Sequence, residues 1–241
     1  MKGHDDRSRA VGVAAAGLAG AAWTVYCLPS LAGIWPELRP VLGIEDRTSS
    51  GTGVALTFDD GPHAQGTGAV LEVLAERRWP ATFFLVGEQV ERNPALAREI
   101  VDAGHEVGLH CHRHRNLLRL GPRQVASDLA RATGLIEDAT GRRPVLYRPP
   151  YGIFNVSALR WARAAGMRPL LWTHWGRDWE PNATRDSIAR RLLTGIGPGA
   201  VLLLHDADDY SAPGSWRNTA AALPVVLDEL ENLGLAPEAP V

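Results

Sequence analysis

Two adjacent carboxylates, Asp59 and Asp60, follow a short apolar run and are followed at once by Gly61 and Pro62. The apolar run, residues 54–58, has the composition of a buried strand, and Gly-Pro predicts a turn directly after it. Neighbouring carboxylates repel each other, so one of the pair must be neutralised by a proton or stabilised by a nearby positive charge. A bound cation would do this, but for this stretch alone two solvated loop aspartates are the default interpretation.

A cluster of imidazoles follows further along the chain, where His110, His112 and His114 lie within five residues. Histidines at positions i and i+4 share a face on a helical turn and can hold one metal ion. With one carboxylate, they would give three protein ligands and an open position for water, as catalytic zinc sites have. An exposed histidine tract without metal is the alternative that these residues leave open.

Strand-like and helix-like segments alternate from residue 54 onwards. Strands are predicted at 54–58, 81–86, 106–109, 145–147, 169–173 and 200–204, and helices at 67–78, 93–103, 123–139, 156–165, 184–194 and 219–233. Six strand–helix pairs favour a parallel α/β architecture. In parallel barrels, functional side chains gather at the carboxyl ends of the strands. Polar residues follow most of the predicted strands: Asp59, Asp60, His110, His112, His114, Arg148, His174, Asp178, His205 and Asp206.

Five short stretches together resemble a known family. They are residues 57–62, residues 110–114, the Arg-Pro-Pro-Tyr-Gly of 148–152, Asp178-Trp179, and the Leu-Leu-His of 203–205. In this order they are similar to the five motifs of the polysaccharide deacetylases, also called carbohydrate esterase family 4 or the NodB-homology domain. The resemblance covers roughly residues 52–235. It implies a distorted (β/α) barrel of the NodB-homology type, preceded here by an N-terminal hydrophobic helix.

The resemblance also implies roles for ten residues. Asp60, His110 and His114 would bind a divalent metal, with zinc favoured. Asp59 would be the general base and His205 the general acid, with Arg148 holding Asp59 and Asp178 orienting His205. The backbone N–H of Tyr151 would help to hold the oxyanion, and Trp179 and Leu203 would line the acetyl pocket.

Three positions depart from the family pattern, the first being Leu109, which stands where an asparagine is frequent before His110. Trp175 stands where the fourth motif usually opens with an aspartate, and Cys111 stands where the second motif usually has serine or threonine. None of these changes removes an expected ligand, base or acid. They leave the substrate class open, and the Cys111 thiol is itself a candidate to approach the metal.

The N-terminal segment suggests a location outside the cytoplasm. No charged residue occurs from residue 10 to residue 36, and Lys2, Arg7 and Arg9 precede this stretch. This pattern is typical of a secretory signal or a single membrane anchor, while a buried Ala-rich helix is the alternative. We therefore divide the chain into an anchor or signal segment (1–36), a linker (37–51), the deacetylase domain (52–235) and a tail (236–241).

The resemblance and the composition together predict a function. The formal net charge of −2 and pI near 6.4 give no support for nucleic-acid binding. The expected activity is metal-dependent removal of N-acetyl groups from amino sugars of a polysaccharide such as peptidoglycan or a chitin-like glycan. The alternatives are deacylation of O-acetyl xylan or of a lipid-linked sugar, and a non-catalytic carbohydrate-binding protein on the same fold. The protein would be membrane-anchored with an extracytoplasmic domain, or secreted.

Overall fold

A parallel sheet organises the computed structural model, which describes residues 20–240. In this part of the chain the sheet has seven strands in the order β5-β4-β3-β2-β1-β7-β6, curled into a half-barrel. The strands are β1 (Ala55–Asp59), β2 (Thr82–Leu85), β3 (Glu106–Leu109), β4 (Leu146–Tyr147), β5 (Arg168–Pro169), β6 (His174–Trp175) and β7 (Val201–His205). The predicted α/β architecture with a distorted barrel is confirmed.

Helices connect the strands and cover the outside of the sheet. They are Gly66–Arg77, Gly87–Arg92, Pro94–Asp102, Pro122–Thr140, Val156–Ala164, Arg185–Leu193 and Ser215–Asn232, with a short helix at Leu38–Val41. Two of them begin at side chains that accept a hydrogen bond from the first turn, Asn155 from the N–H of Ala158 and Thr184 from the N–H of Ser187. Such caps satisfy backbone donors that the helix itself cannot satisfy.

The two faces of the sheet bury different sets of side chains, because neighbouring residues of a strand point to opposite faces. The larger cluster packs strand residues such as Leu56 and Phe83 together with the helices. The smaller cluster contains the alternate residues and lies on the other face: Ala55, Phe84, Leu146, Leu170 and Val201. Every residue of β1 is buried, so this central strand is held rigidly where its carboxyl end reaches the site.

The prediction of a single strand at 169–173 is wrong. The chain instead forms two short strands at the two ends of this range, β5 and β6. After Pro169, the backbone turns to a different partner: Leu171 donates its N–H to the carbonyl of Glu45 at 2.8 Å. Thr173 then donates to the carbonyl of Val201 on β7 at 2.9 Å. The chain thus crosses from one edge of the curled sheet to the other. The helix Gly87–Arg92 was also absent from the sequence prediction.

The segments on either side of the predicted domain pack onto it. Ile44 is 3% exposed, and Glu45 forms a parallel bridge with Leu170. The Glu238 carboxylate accepts hydrogen bonds from the backbone N–H groups of Ser50, Thr52 and Gly53. The domain boundaries remain predictions, since these contacts do not say where a separate unit would begin.

Most of the predicted anchor or signal segment falls outside the described residues. From residue 20 the chain is helical to residue 27 and continues as a 3-10 helix, Leu28–Gly33. Among residues 20–240, no helix combines the length and apolar character needed to cross a bilayer.

Candidate active site

A cavity of about 220 Å³ opens at the carboxyl ends of the strands. Its lining contains eight of the ten predicted site residues: Asp59, Asp60, His110, His114, Tyr151, Trp179, Leu203 and His205. The other two, Arg148 and Asp178, are fully buried behind the lining and contact it through hydrogen bonds. The structure therefore brings all ten residues into one region.

Asp60, His110 and His114 place three potential ligand atoms within 4.8 Å of one another. Asp60 Oδ1 lies 3.4 Å from Nε2 of His110 and 3.3 Å from Nε2 of His114. This oxygen is buried and has no hydrogen-bond partner among the described residues. An unpartnered buried carboxylate oxygen facing two imidazole nitrogens is costly without a cation. One carboxylate and two imidazoles also form a donor set that suits a divalent metal, so the residues fit the expected ion.

The protonation states favour metal binding as well. His110 Nδ1 lies 2.8 Å from the carbonyl oxygen of Arg148 and donates its hydrogen there, which leaves the Nε2 lone pair directed at Asp60. Burial lowers the pKa of His114 to about 4, so this imidazole is neutral near pH 7. Burial raises the pKa of Asp60, but the interactions with His110, His205 and His114 outweigh it and bring the value to about 2. An ionised Asp60 carboxylate thus lies beside the neutral imidazole of His114.

The backbone that presents these ligands is a loop, not the helical turn considered from the i, i+4 spacing. Residues 110–116 form no helix, and Cys111 has a φ of 86°. Asp60 also has a positive φ, 83°, at the turn after β1. Such conformations are rare for residues with a side chain and recur at functional sites. The two ligand loops therefore reach the site through special turns at the ends of β1 and β3.

Asp59 is held by a buried arginine. Nη1 of Arg148 lies 2.7 Å from Asp59 Oδ1 and 2.8 Å from the hydroxyl of Thr57. The guanidinium also lies over the ring of Phe84, with 4.1 Å between Cζ and the ring centroid. Because Arg148 is fully buried, its charge is satisfied mainly by Asp59, and it fixes the orientation of that carboxylate.

His205 lies beside Asp59 in the parallel ladder between β1 and β7. Its Nδ1 is 2.9 Å from Asp178 Oδ1, and its backbone N–H donates to Asp178 Oδ2 at 2.7 Å. Thr219 donates a further hydrogen bond to Asp178 Oδ2 at 2.7 Å. Burial lowers the pKa of His205, but the charge and hydrogen bond of Asp178, with smaller contributions from Asp60 and Asp59, raise it to about 10. The imidazole is therefore protonated near neutral pH.

Aromatic side chains form the rest of the lining. The indole of Trp179 contacts the imidazole of His205 edge-on, with 5.2 Å between ring centroids. Trp175 lies between Trp179 and Trp172, with centroid separations of 5.3 Å and 5.8 Å. Leu203 lies two residues before His205 on β7, so both side chains face the cavity. Tyr151 has a φ of 61° in the 3-10 turn Pro150–Gly152.

Two of the departures from the family pattern differ in their surroundings. Trp175 is 43% exposed and belongs to the aromatic lining. Cys111 is buried, its Sγ lies 3.7 Å from the Tyr147 hydroxyl, and burial raises the pKa of its thiol well above the usual value. The thiol of Cys111 faces Tyr147, and Cys111 does not belong to the Asp60, His110 and His114 cluster.

Two side chains at the site went unassigned in the sequence analysis. Tyr210 stacks on His114 with ring centroids 4.4 Å apart and an interplanar angle of 13°, and its hydroxyl donates to Glu88 at 2.6 Å. Asp206 is fully buried behind the turn after β1, where it accepts a hydrogen bond from Thr67, and burial raises its pKa to about 7. Their position after His205 was the only available signal, since both contacts join distant parts of the chain.

The fold and the site define the class of protein: a parallel α/β domain with a candidate metal site flanked by the carboxylate of Asp59 and the imidazole of His205. The chain belongs to the polysaccharide deacetylase family, whose family model matches residues 46–170. It is 38% identical over 194 residues to a chitooligosaccharide deacetylase of Sinorhizobium fredii, covering 77% of this chain and 90% of the relative.

Two solved structures show the same fold. One is a peptidoglycan N-acetylglucosamine deacetylase, with a TM-score of 0.74 and 28% identity over 81% of this chain and 89% of that chain. The other is a family 4 acetyl xylan esterase from Clostridium thermocellum in complex with a cobalt ion, with a TM-score of 0.68 and 28% identity. That likeness covers 77% of this chain and 87% of the esterase.

Proposed function

We propose that this protein is a metal-dependent N-deacetylase that acts on amino-sugar residues of a chitin-like glycan or peptidoglycan. One observation carries the proposal: the ladder register pairs Asp59 with His205 beside the cluster of Asp60, His110 and His114. A base, an acid and a cation-binding set within one cavity are the groups that amide hydrolysis requires. The names of the relatives support the substrate class.

Asp60, His110 and His114 would hold the metal, with zinc as the proposed ion. When bound, a divalent cation supplies Lewis acidity, lowering the pKa of coordinated water towards roughly 7 and polarising a carbonyl. Asp60 would contribute the negative charge, and Nε2 of His110 and of His114 would contribute lone pairs. The hydrogen bond from His110 to the carbonyl of Arg148 keeps that ring in the ligating tautomer.

Asp59 would accept the proton from the attacking water. It is 3% exposed, and its Oδ1 is occupied by Arg148, which leaves Oδ2 as the basic atom. Arg148 is a positioning residue in this proposal: its guanidinium holds the Asp59 carboxylate fixed in direction. The same hydrogen bonds link Arg148 to Thr57 on β1, so base and positioning residue are anchored to one rigid strand.

His205 would donate a proton to the leaving amine. Its Nδ1–H is engaged by Asp178, so Nε2–H is the proton available for transfer. An amide needs this proton because an amine anion is a very poor leaving group, and a protonated imidazole is the usual donor near neutral pH. Asp178 would position the ring and maintain its charge.

The acetyl group would occupy the apolar part of the cavity. Leu203 and Trp179 would contact its methyl group, and the backbone N–H of Tyr151 would donate to the developing oxyanion. One oxyanion donor is typically worth about 100- to 1000-fold in rate. We further propose that the uncharged N-terminal segment anchors the protein to the membrane or directs its secretion, with the catalytic domain outside the cytoplasm.

The experiment is a panel of acetylated glycans. The full chain, stripped of metal and then given zinc, is incubated with N-acetylglucosamine oligomers, peptidoglycan and acetyl xylan, and released acetate is measured. We expect zinc-dependent acetate from the amino-sugar substrates. Release from acetyl xylan alone would favour the O-deacetylase that the structural likeness to an acetyl xylan esterase keeps open. Binding of a glycan without any acetate would indicate a non-catalytic carbohydrate-binding protein.

A further inference from the structure

Exposed apolar side chains cluster on the N-terminal segment that precedes the sheet. Four of them, Trp23, Leu28, Ile34 and Trp35, are between 47% and 73% exposed, with Ile34 the most exposed. Single apolar side chains on a surface are ordinary, but a contiguous group of large ones is typical of an interaction surface. We call these four residues the apolar patch.

The apolar patch is fixed to the folded domain. The hydroxyl of Tyr26 donates to the carbonyl of Leu120 at 2.9 Å, and its ring lies 5.1 Å from the ring of Trp23. Arg39 is only 8% exposed, and its guanidinium donates to the carbonyl of Trp172 at 3.0 Å. Contacts on both sides of the patch therefore give it a defined position on the domain.

A basic stretch of the chain lies where Tyr26 meets the domain. Residues 113–131 contain five arginines and a single acidic residue, Asp128, although the whole chain has a formal net charge of −2. Arg115 pairs with Asp128 at 2.5 Å, and Arg131 pairs with Glu91 at 2.6 Å. These two ion pairs neutralise only part of the positive charge.

Three exposed arginines of this stretch, which we call the basic patch, carry the remaining charge. They are Arg113, Arg119 and Arg123, and none of them pairs with a carboxylate among residues 20–240. Arg119 directly precedes Leu120, which accepts the hydrogen bond from Tyr26. Leu118, on the other side of Arg119, lines the same surface groove as Ile34. The basic patch therefore borders the apolar patch.

Together the two patches have the chemistry of a surface that meets an anionic lipid bilayer. Tryptophan is favoured at the depth of lipid headgroups, because its ring packs against acyl chains while its N–H reaches polar groups. Arginine binds phosphate oxygens, and each basic residue near an anionic membrane strengthens binding by roughly fivefold. An apolar protein partner would leave the arginines unmatched, and an anionic polymer would leave the apolar patch in water.

We infer that the apolar patch and the basic patch together dock the domain onto a bilayer that contains anionic lipids. The inference deepens the proposed membrane anchoring and rests on it for the identity of the partner, but it assumes nothing about the glycan. Tyr151 lines both the catalytic cavity and the groove that Ile34 lines, so the mouth of the cavity lies beside the docked surface. Deacetylation then takes place close to the lipid headgroups.

A fluorescent label at residue 34 tests docking in the full chain. Of the two cysteines, Cys111 is buried and Cys27 is half-buried, so Cys27→Ser combined with Ile34→Cys leaves one accessible thiol for a nitrobenzoxadiazole label. The emission of this label shifts to the blue in an apolar environment. Vesicles of phosphatidylcholine are compared with vesicles of an equal mixture of phosphatidylcholine and phosphatidylglycerol. We expect a larger blue shift with the anionic vesicles, and its reversal by salt.

Charge substitutions test the basic patch. At a salt concentration that leaves half of the label docked, Arg119→Gln and Arg123→Gln should each lower the ratio of docked to undocked label by roughly fivefold. Arg143→Gln is the matched control, because Arg143 is an exposed arginine shortly before β4 and outside both patches. The same label at Val145→Cys, a position that is 51% exposed in the parent chain, should show no blue shift.

Three results would overturn the inference: no blue shift, an equal shift with both kinds of vesicle, or a shift that Arg119→Gln and Arg123→Gln leave unchanged. Arginine-dependent binding to dextran sulfate without a blue shift on vesicles would assign the basic patch to anionic polymers and would also overturn it. Anchoring is read separately, from chain that stays on vesicles at high salt. Retention at high salt without any blue shift would leave anchoring standing and refute docking, whereas release by salt together with a salt-sensitive blue shift would support docking and refute anchoring.

Discussion

Replacement of Asp178 by asparagine removes a buried negative charge and keeps the shape of the side chain. Asp178 is fully buried and accepts three hydrogen bonds, from Nδ1 and the backbone N–H of His205 and from the hydroxyl of Thr219. An asparagine has one acceptor oxygen, so its NH₂ group must face one of these donors. The unsatisfied contact should cost about 1–3 kcal/mol of stability.

The larger effect concerns the proton on His205. Asp178 is the strongest of the influences that raise its pKa from an ordinary 6.5 to about 10, a difference equivalent to roughly 5 kcal/mol in favour of the imidazolium. Without that charge, burial is opposed only by the smaller contributions of Asp60 and Asp59, and the pKa of His205 should fall well below its value in the parent. The general acid then loses its proton within the working pH range, and kcat should decline as the pH rises above neutrality.

Two assays test this reasoning. NMR titration of the imidazole signals in metal-free protein measures the pKa of His205 directly, and the pH dependence of kcat with zinc present measures its consequence. The matched control is Asp186→Asn, which removes the same charge from an exposed position. A His205 pKa that stays near 10 in Asp178→Asn, or an alkaline limb that does not move, would refute the assigned role of Asp178.

Three further predictions concern stability and metal binding. The pKa of His205 is higher in the folded chain than in the unfolded chain, so its protonation stabilises the fold fully below about pH 6.5, and this stabilisation is lost as the pH rises through about 10. Calorimetry of metal-free protein should therefore show a Tm that falls between these pH values. A constant Tm would contradict the prediction. Arg148→Met leaves Asp59 buried without its partner and should lower the free energy of unfolding by about 3–5 kcal/mol in urea titrations. A loss under about 1 kcal/mol would show that the buried Arg148–Asp59 pair is not a main contributor to stability. Tyr210→Ala removes the ring stacked on His114 and should weaken zinc binding several-fold in chelator competition, whereas Tyr210→Phe keeps the stacking and should not.

The sequence predicted the functional edge of the sheet well, because the signal is local. Each strand that carries site residues is an apolar run ended by a polar side chain, as in Phe58-Asp59 and Leu204-His205. Parallel strands place such ends on the same edge, so the grouping follows from the fold class. The ladder register between Asp59 and His205, however, joins residues far apart in the chain and was visible only in the structure.

The sequence did not predict features that depend on an unusual backbone conformation or on contacts between distant residues. The loop that carries His110 and His114 depends on a positive φ at Cys111, and the residue types in that stretch do not predict it. The break between β5 and β6 arises because Glu45, more than a hundred residues earlier, takes the backbone hydrogen bond of Leu171. Tyr210 contacts His114 across the cavity, and neither sequence neighbourhood indicates that contact.

The central claim is that Asp59 acts as the general base and Asp60 as a metal ligand. Measuring zinc content together with acetate release tests this claim most directly. The full chain, Asp59→Asn and Asp60→Asn are each loaded with zinc, analysed for bound metal and assayed on the N-acetylglucosamine tetramer. We predict that Asp59→Asn keeps one zinc per chain and loses at least about 100-fold in kcat, and that Asp60→Asn loses zinc affinity. Loss of zinc from Asp59→Asn together with retention by Asp60→Asn would contradict the account.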